Sequence, residues 1–143
     1  MGESWMSRFG NGPVAVMGIV NITPDSFSDG GRFLRPEAAL AHGRTLVADG
    51  ADLLDVGAES TRPGFIPVPA EEEWARLAPV VGQFVGDGVT VSVDTTKAFV
   101  ARRALEAGVA VINDVWGLQA DPDMASVVAV SEASVIVDSE ERS

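Results

Sequence analysis

The chain has 143 residues, 46% of them hydrophobic and 22% charged, a composition that fits one globular domain able to bury a sizeable core. A formal charge of −11 argues against a nucleic-acid partner, which needs basic patches, and disfavours anionic membrane surfaces. With no cysteine there is no disulfide frame, thiolate metal site or cysteine nucleophile.

No apolar run approaches the ~18 residues of a membrane helix. The opening stretch MGESWMSRFGNGP carries Gly, Asn, Pro and charge where a signal peptide has its apolar core. The expectation is a cytoplasmic protein, and the negative charge leaves a small anionic substrate open. A single domain over residues 1–143 is expected, with a flexible amino end at 1–12 and a charged tail at 139–143.

In chain order, VAVMGIV (14–20) has the length and valine content of a buried strand. Pro36 suits the first turn of a helix, and PEAALAHGRTLVADG follows. There Ala39, Leu40, Gly43, Leu46 and Val47 share a face, and Gly50 supplies the stop. ADLLDVGA (51–58) reads as a second strand and ESTRPGFIPVP (59–69) as a Pro/Gly-rich loop. AEEEWARLAPVVGQFVGDG is a second helix with acidic residues at its start and Pro79 as a candidate kink. VTVSVD (89–94), KAFVARRALEAG and VAVIND (109–114) continue the alternation. DPDMASVVAVSEA is a fourth helix with Asp121 as its cap, and SVIVD (134–138) is a fifth strand.

Strands alternating with helices predict a parallel sheet with right-handed crossovers. Both a doubly wound sheet and a (β/α) barrel fit, and both place the active site at the carboxyl ends of the strands. Polar residues collect at those ends: Asn21 and Thr23, then Glu59 to Arg62 with Asp55 inside the strand, then Asp94, then Asn113 and Asp114. Capping explains Asp114 and Asp121 as well as function does. Asp94 and Asn113 each close an apolar run, and each can offer a buried acceptor or amide to a heterocycle. NITPDSFSDGGRF (21–33), with a bulky Phe27 and two carboxylates, reads as a substrate lid. STRPG offers a hydroxyl, a guanidinium and a fixed proline, which suits an anion such as pyrophosphate. His42, Trp5, Trp74 and Trp116 read as structural, Lys97 as a solvated charge, and the EEE at 71–73 as an acidic helix start.

The segments MGIVNITPDSFSDGGRF, DVGAESTRPG, SVDTTK and IND, in this order, strongly resemble the dihydropteroate synthase family. The resemblance implies a TIM barrel that joins a 7,8-dihydropterin-6-ylmethyl diphosphate to p-aminobenzoate, releases pyrophosphate and uses Mg²⁺. It also implies a target of sulfonamides. It puts Asn21 at the metal and diphosphate, and Thr61 and Arg62 near diphosphate and p-aminobenzoate. Phe27, Asp29 and Pro63 would shape the p-aminobenzoate pocket. Asp94 and Asn113 would hydrogen-bond the pterin ring, with Asp94 the catalytic carboxylate. A methyltetrahydrofolate methyltransferase-type barrel is the alternative within pterin chemistry, and an inactive pterin-binding fragment is another.

The family's second half, with a further aspartate, a lysine and a basic pair, has no counterpart in the sequence. The fold expected is the N-terminal half of a TIM barrel: about four βα units and a fifth strand. Strands 1 and 5 would then be open edges, and self-association or pairing with the missing half is expected.

Overall fold

The computed structural model describes residues 15–22, 34–58, 68–114 and 121–129, and the backbone of 134–137. Strand and helix alternate as β1 (Met17–Asn21), α1 (Pro36–Ala48), β2 (Leu53–Gly57), α2 (Ala70–Gly86), β3 (Val91–Asp94), α3 (Ala98–Glu106), β4 (Val111–Asp114), α4 (Met124–Ala129) and β5 (Ser134–Val137). The amino end, the stretch from Thr23 to Phe33, the STRPG loop and the tail lie outside the described residues.

β2, β3 and β4 begin later than their apolar runs because each preceding helix uses those residues to finish itself. Gly50, Gly88 and Gly108 follow α1, α2 and α3 with φ of 114°, 82° and 103°. At each stop the glycine N–H bonds one carbonyl of the last turn, and the next N–H reaches one residue further back: Ala51 to Leu46, Val89 to Phe84 and Val109 to Ala104. This is the left-handed glycine termination repeated at three helix–strand joints. α2 runs on through Pro79, whose missing N–H leaves a gap in the helical ladder.

All four strand pairings are parallel, and the order is β1-β2-β3-β4-β5. A doubly wound sheet reverses its order at a switch point. The unreversed order decides for the barrel-type winding. Each helix packs on the next, so α1 to α4 cover one face of the sheet.

Strand residues alternate between that face and the opposite one. Val20, Leu54, Val56, Val93 and Ile112 face the helices and join one core with Leu77, Val80, Val81, Phe84, Ala101 and Ala104. α1 comes close because Gly43 has no side chain. A Cβ there would sit 2.3 Å from the Phe84 ring and 3.0 Å from Leu54. The other face carries Met17, Ile19 and Asn21 on β1, Leu53, Asp55 and Gly57 on β2, Ser92 and Asp94 on β3, and Val111 and Asn113 on β4.

Candidate functional site

The candidate site is the last layer of the inward face. Asn21 pairs with Gly57, Gly57 with Asp94, and Asp94 with Asn113. In-register partners of parallel strands point the same way, so three polar side chains share one row at the carboxyl ends of β1, β3 and β4. All three are half-buried. Gly57 leaves an opening in that row. The point its Cβ would occupy lies 3.4 Å from Asp94 Oδ2 and 3.6 Å from Asn21 Oδ1, so two oxygens border one gap.

One layer down lies Asp55, 4% exposed. Its Oδ1 accepts the Ser92 hydroxyl at 2.8 Å and its Oδ2 accepts the Asn113 amide at 3.1 Å. Burial pushes its carboxyl above the usual carboxylate range, and those two hydrogen bonds pull partly back. The turn after β3 is held in turn. Thr95 N–H donates to the Asn113 carbonyl at 3.1 Å, and Thr95 Oγ1 accepts the Lys97 N–H at 3.2 Å.

The sequence from residue 17 to 142 matches the family described as "Pterin binding enzyme". The chain belongs to the pterin-binding enzymes. It is 53% identical over 117 residues to a dihydropteroate synthase of Mycobacterium leprae, a match that takes in 82% of this chain and 41% of that protein. Among solved structures, dihydropteroate synthase from Clostridium difficile, crystallised in the presence of pteroic acid, superposes with a TM-score of 0.78 at 46% identity; the match covers 89% of this chain and 49% of that one. The Xanthomonas albilineans enzyme with 4-aminobenzoic acid gives 0.75 at 52% identity, covering 85% and 44%. The chain thus spans less than half the length of these relatives. The expected partial (β/α) barrel is borne out.

Of the residues expected at the pterin-binding site, Asn21, Asp94 and Asn113 come together in the row. Phe27, Asp29, Thr61, Arg62 and Pro63 lie outside the described residues. Asp114, by alternation, faces the helices and is fully buried, so it stands apart from the row. Asp121 is a cap, and it caps twice. Its Oδ1 accepts the Asp123 N–H at 2.9 Å, ahead of α4, and its Oδ2 accepts the first N–H of α3, Ala98, at 2.7 Å. These two backbone donors hold its carboxyl below the usual range.

Two expectations are corrected. Lys97 is no solvated charge: its Nζ lies 2.8 Å from Glu73 Oε1. Glu73, placed on an acidic helix face, is 1% exposed. It occupies the same helical stripe as Leu77, Val80, Val81 and Phe84, and a charge on an apolar stripe must find a partner. That spacing was the available signal. Asp55, visible in the sequence as a polar residue inside the second strand, supports the site from below, and the signal for that is its inward parity between Leu54 and Val56.

A cavity of about 350 Å³ lies on the helix side, lined by Ile22, Pro36, Glu72, Ala75, Arg76 and Pro79. It lies across the sheet from the polar row. Arg76 on its wall donates to the Ala58 carbonyl at 3.3 Å and pairs with Glu72 at 2.6 Å, anchoring the chain as it leaves β2. Among the described residues, no helix is long and apolar enough to cross a membrane, and no group of three or more His, Asp or Glu is placed to hold a metal.

Proposed function

We propose that this chain carries the pterin half of a dihydropteroate synthase site. That site condenses 7,8-dihydropterin-6-ylmethyl diphosphate with p-aminobenzoate in folate synthesis. The observation that carries the reading is the row Asn21–Gly57–Asp94–Asn113, which sets an amide, a carboxylate and a second amide side by side at the mouth of a parallel sheet. The glycine gap gives a flat ring system room to approach.

Departure of diphosphate leaves positive charge on the pterin methylene and ring. The Asp94 carboxylate, fixed at the strand end, favours that charge more than the neutral ground state, so the barrier falls. Asn113 orients the ring. Asn21 Oδ1, a hard oxygen ligand beside the gap, would hold Mg²⁺, which supplies charge neutralisation to the leaving diphosphate. Thr61 and Arg62 are the candidates for gripping diphosphate, and Phe27, Asp29 and Pro63 for walling the p-aminobenzoate pocket, which sulfonamides would share. The reaction belongs to small molecules in the cytoplasm.

Association belongs to the same proposal. Ile19 on the inward face of β1 is 49% exposed. β1 ends the strand order of the described sheet. An apolar inward face on an edge strand favours pairing with a second copy or with a complementing half.

Calorimetry with the pterin diphosphate and Mg²⁺, followed by p-aminobenzoate, tests the reading. Heat of binding in the first step and dihydropteroate in the second support the synthase. Binding without product supports the pterin-binding fragment. No binding in either step refutes both.

A further inference from the structure

We infer that Asp55 is a positioning residue, whose buried carboxylate fixes which edge of the Asn113 amide faces the mouth of the site. The inference rests on the pterin reading of that mouth for its consequence, but the hydrogen bond it invokes stands on the geometry alone.

Asp55 sits on the inward face of β2, in register with Ile19 and Ser92, one layer beneath the polar row. An apolar residue would fill that layer as Val111 does, without burying a polar group. A carboxylate there is tolerated because two donors meet it. Ser92 Oγ, on a fully buried residue, donates to Oδ1 at 2.8 Å and sets the rotation of the carboxylate about its bond. Oδ2 is then aimed at Asn113, whose Nδ2 donates to it at 3.1 Å.

The donor and acceptor roles follow from the groups themselves. The Asn113 amide turns its NH₂ towards Asp55, the only orientation that an ionised carboxylate, which can only accept, would allow. Its Oδ1 and its second N–H remain for the mouth. Asp94, the in-register neighbour of Asn113, is also an acceptor. The orientation of one amide therefore decides whether a heterocycle meets two neighbouring acceptors or an acceptor beside an NH₂ group. An amide unpinned from below would rotate between the two, and the site would lose selectivity for the ring's pattern of donors. Ser92, Asp55 and Asn113 thus form a chain of three strands in which the lower two residues act only through the third.

The test uses the full chain, labelled with ¹⁵N. In the wild type the Asn113 side-chain amide hydrogens should exchange about 10-fold or more slowly than those of exposed amides. Asp55→Asn, which can answer Asn113 in either orientation, should collapse that protection and shift the amide signals. The same variant should weaken binding of the pterin diphosphate about 10-fold, the value of one lost charge-assisted hydrogen bond. Ser92→Ala, which frees the carboxylate to rotate, should move both readouts in the same direction by less, and it serves if Asp55→Asn does not fold. An Asn113 amide that exchanges like an exposed one in the wild type overturns the inference. So does a variant that leaves the amide signals in place. A locked amide in a chain that binds no pterin upholds the positioning bond and refutes the functional reading instead.

Discussion

Lys97 Nζ reaches Glu73 Oε1 at 2.8 Å and so ties the turn after β3 to the first turn of α2. The pair is lopsided: Glu73 is 1% exposed and Lys97 24%. The buried carboxylate depends on the half-buried ammonium, and the turn they clamp starts one residue after Asp94. The clamp therefore stands between the helical layer and the polar row.

Removing one member should cost more than the pair adds. Lys97→Met leaves a carboxylate in the core with its main charge partner gone, and should destabilise the chain by about 3 kcal/mol in urea denaturation. Lys97→Met combined with Glu73→Leu should recover most of that loss, because a matched apolar pair removes the desolvation problem. Equal effects of the single and double changes would show that Glu73 does not need Lys97.

Two glycines of the helical layer should respond with opposite sign. Gly43→Ala places a methyl 2.3 Å from the ring of the fully buried Phe84, and should destabilise by about 1–2 kcal/mol even after the helix-propensity gain. Gly82→Ala, on the exposed face of α2, meets nothing within 4 Å and should stabilise by about 0.5–1 kcal/mol. Denaturation midpoints of the two variants check both.

Asp55 and Asp121 should give pH dependences of opposite slope. The Asp121 carboxyl is held low by two backbone donors, so its contribution is present above the usual carboxylate range and lost as pH falls through its lowered value. The Asp55 carboxyl is pushed up by burial, so its contribution is present below the usual range and fades as pH rises through its raised value. Stability measured between about pH 3 and 7 should therefore lose acid sensitivity in Asp121→Asn and lose its decline towards neutral pH in Asp55→Asn. Asp121→Ala should in addition cost about 1 kcal/mol at neutral pH, as removal of a helix cap does.

Much of this architecture was legible because local rules carry it. Apolar runs of strand length, Gly50 as a helix stop and Asp121 as a cap all follow from the residue and its near neighbours. The alternation that puts Asn21, Asp94 and Asn113 in one row follows from strand ends alone, once the winding is parallel. The choice between doubly wound and barrel-type order is different. It depends on which strands neighbour one another, and the periodicity of each run is silent about that. The fates of Glu73 and Lys97 turn on a contact across 24 residues between elements that read as independent. Asp55 was visible as a polar residue in an apolar strand. Its role was not, because that role needs Ser92 and Asn113 on two other strands. The expected contributions of Phe27, Asp29, Thr61, Arg62 and Pro63 came from family resemblance and lie outside the described residues.

If one layer of one face of the sheet receives a pterin diphosphate, titrating that ligand with Mg²⁺ into the ¹⁵N-labelled chain should shift Asn21, Gly57, Asp94 and Asn113 and leave Ala75 and Arg76, across the sheet, unmoved. Shifts confined to the helix side around Arg76, or none at saturating ligand, would mean that the row does not bind the pterin.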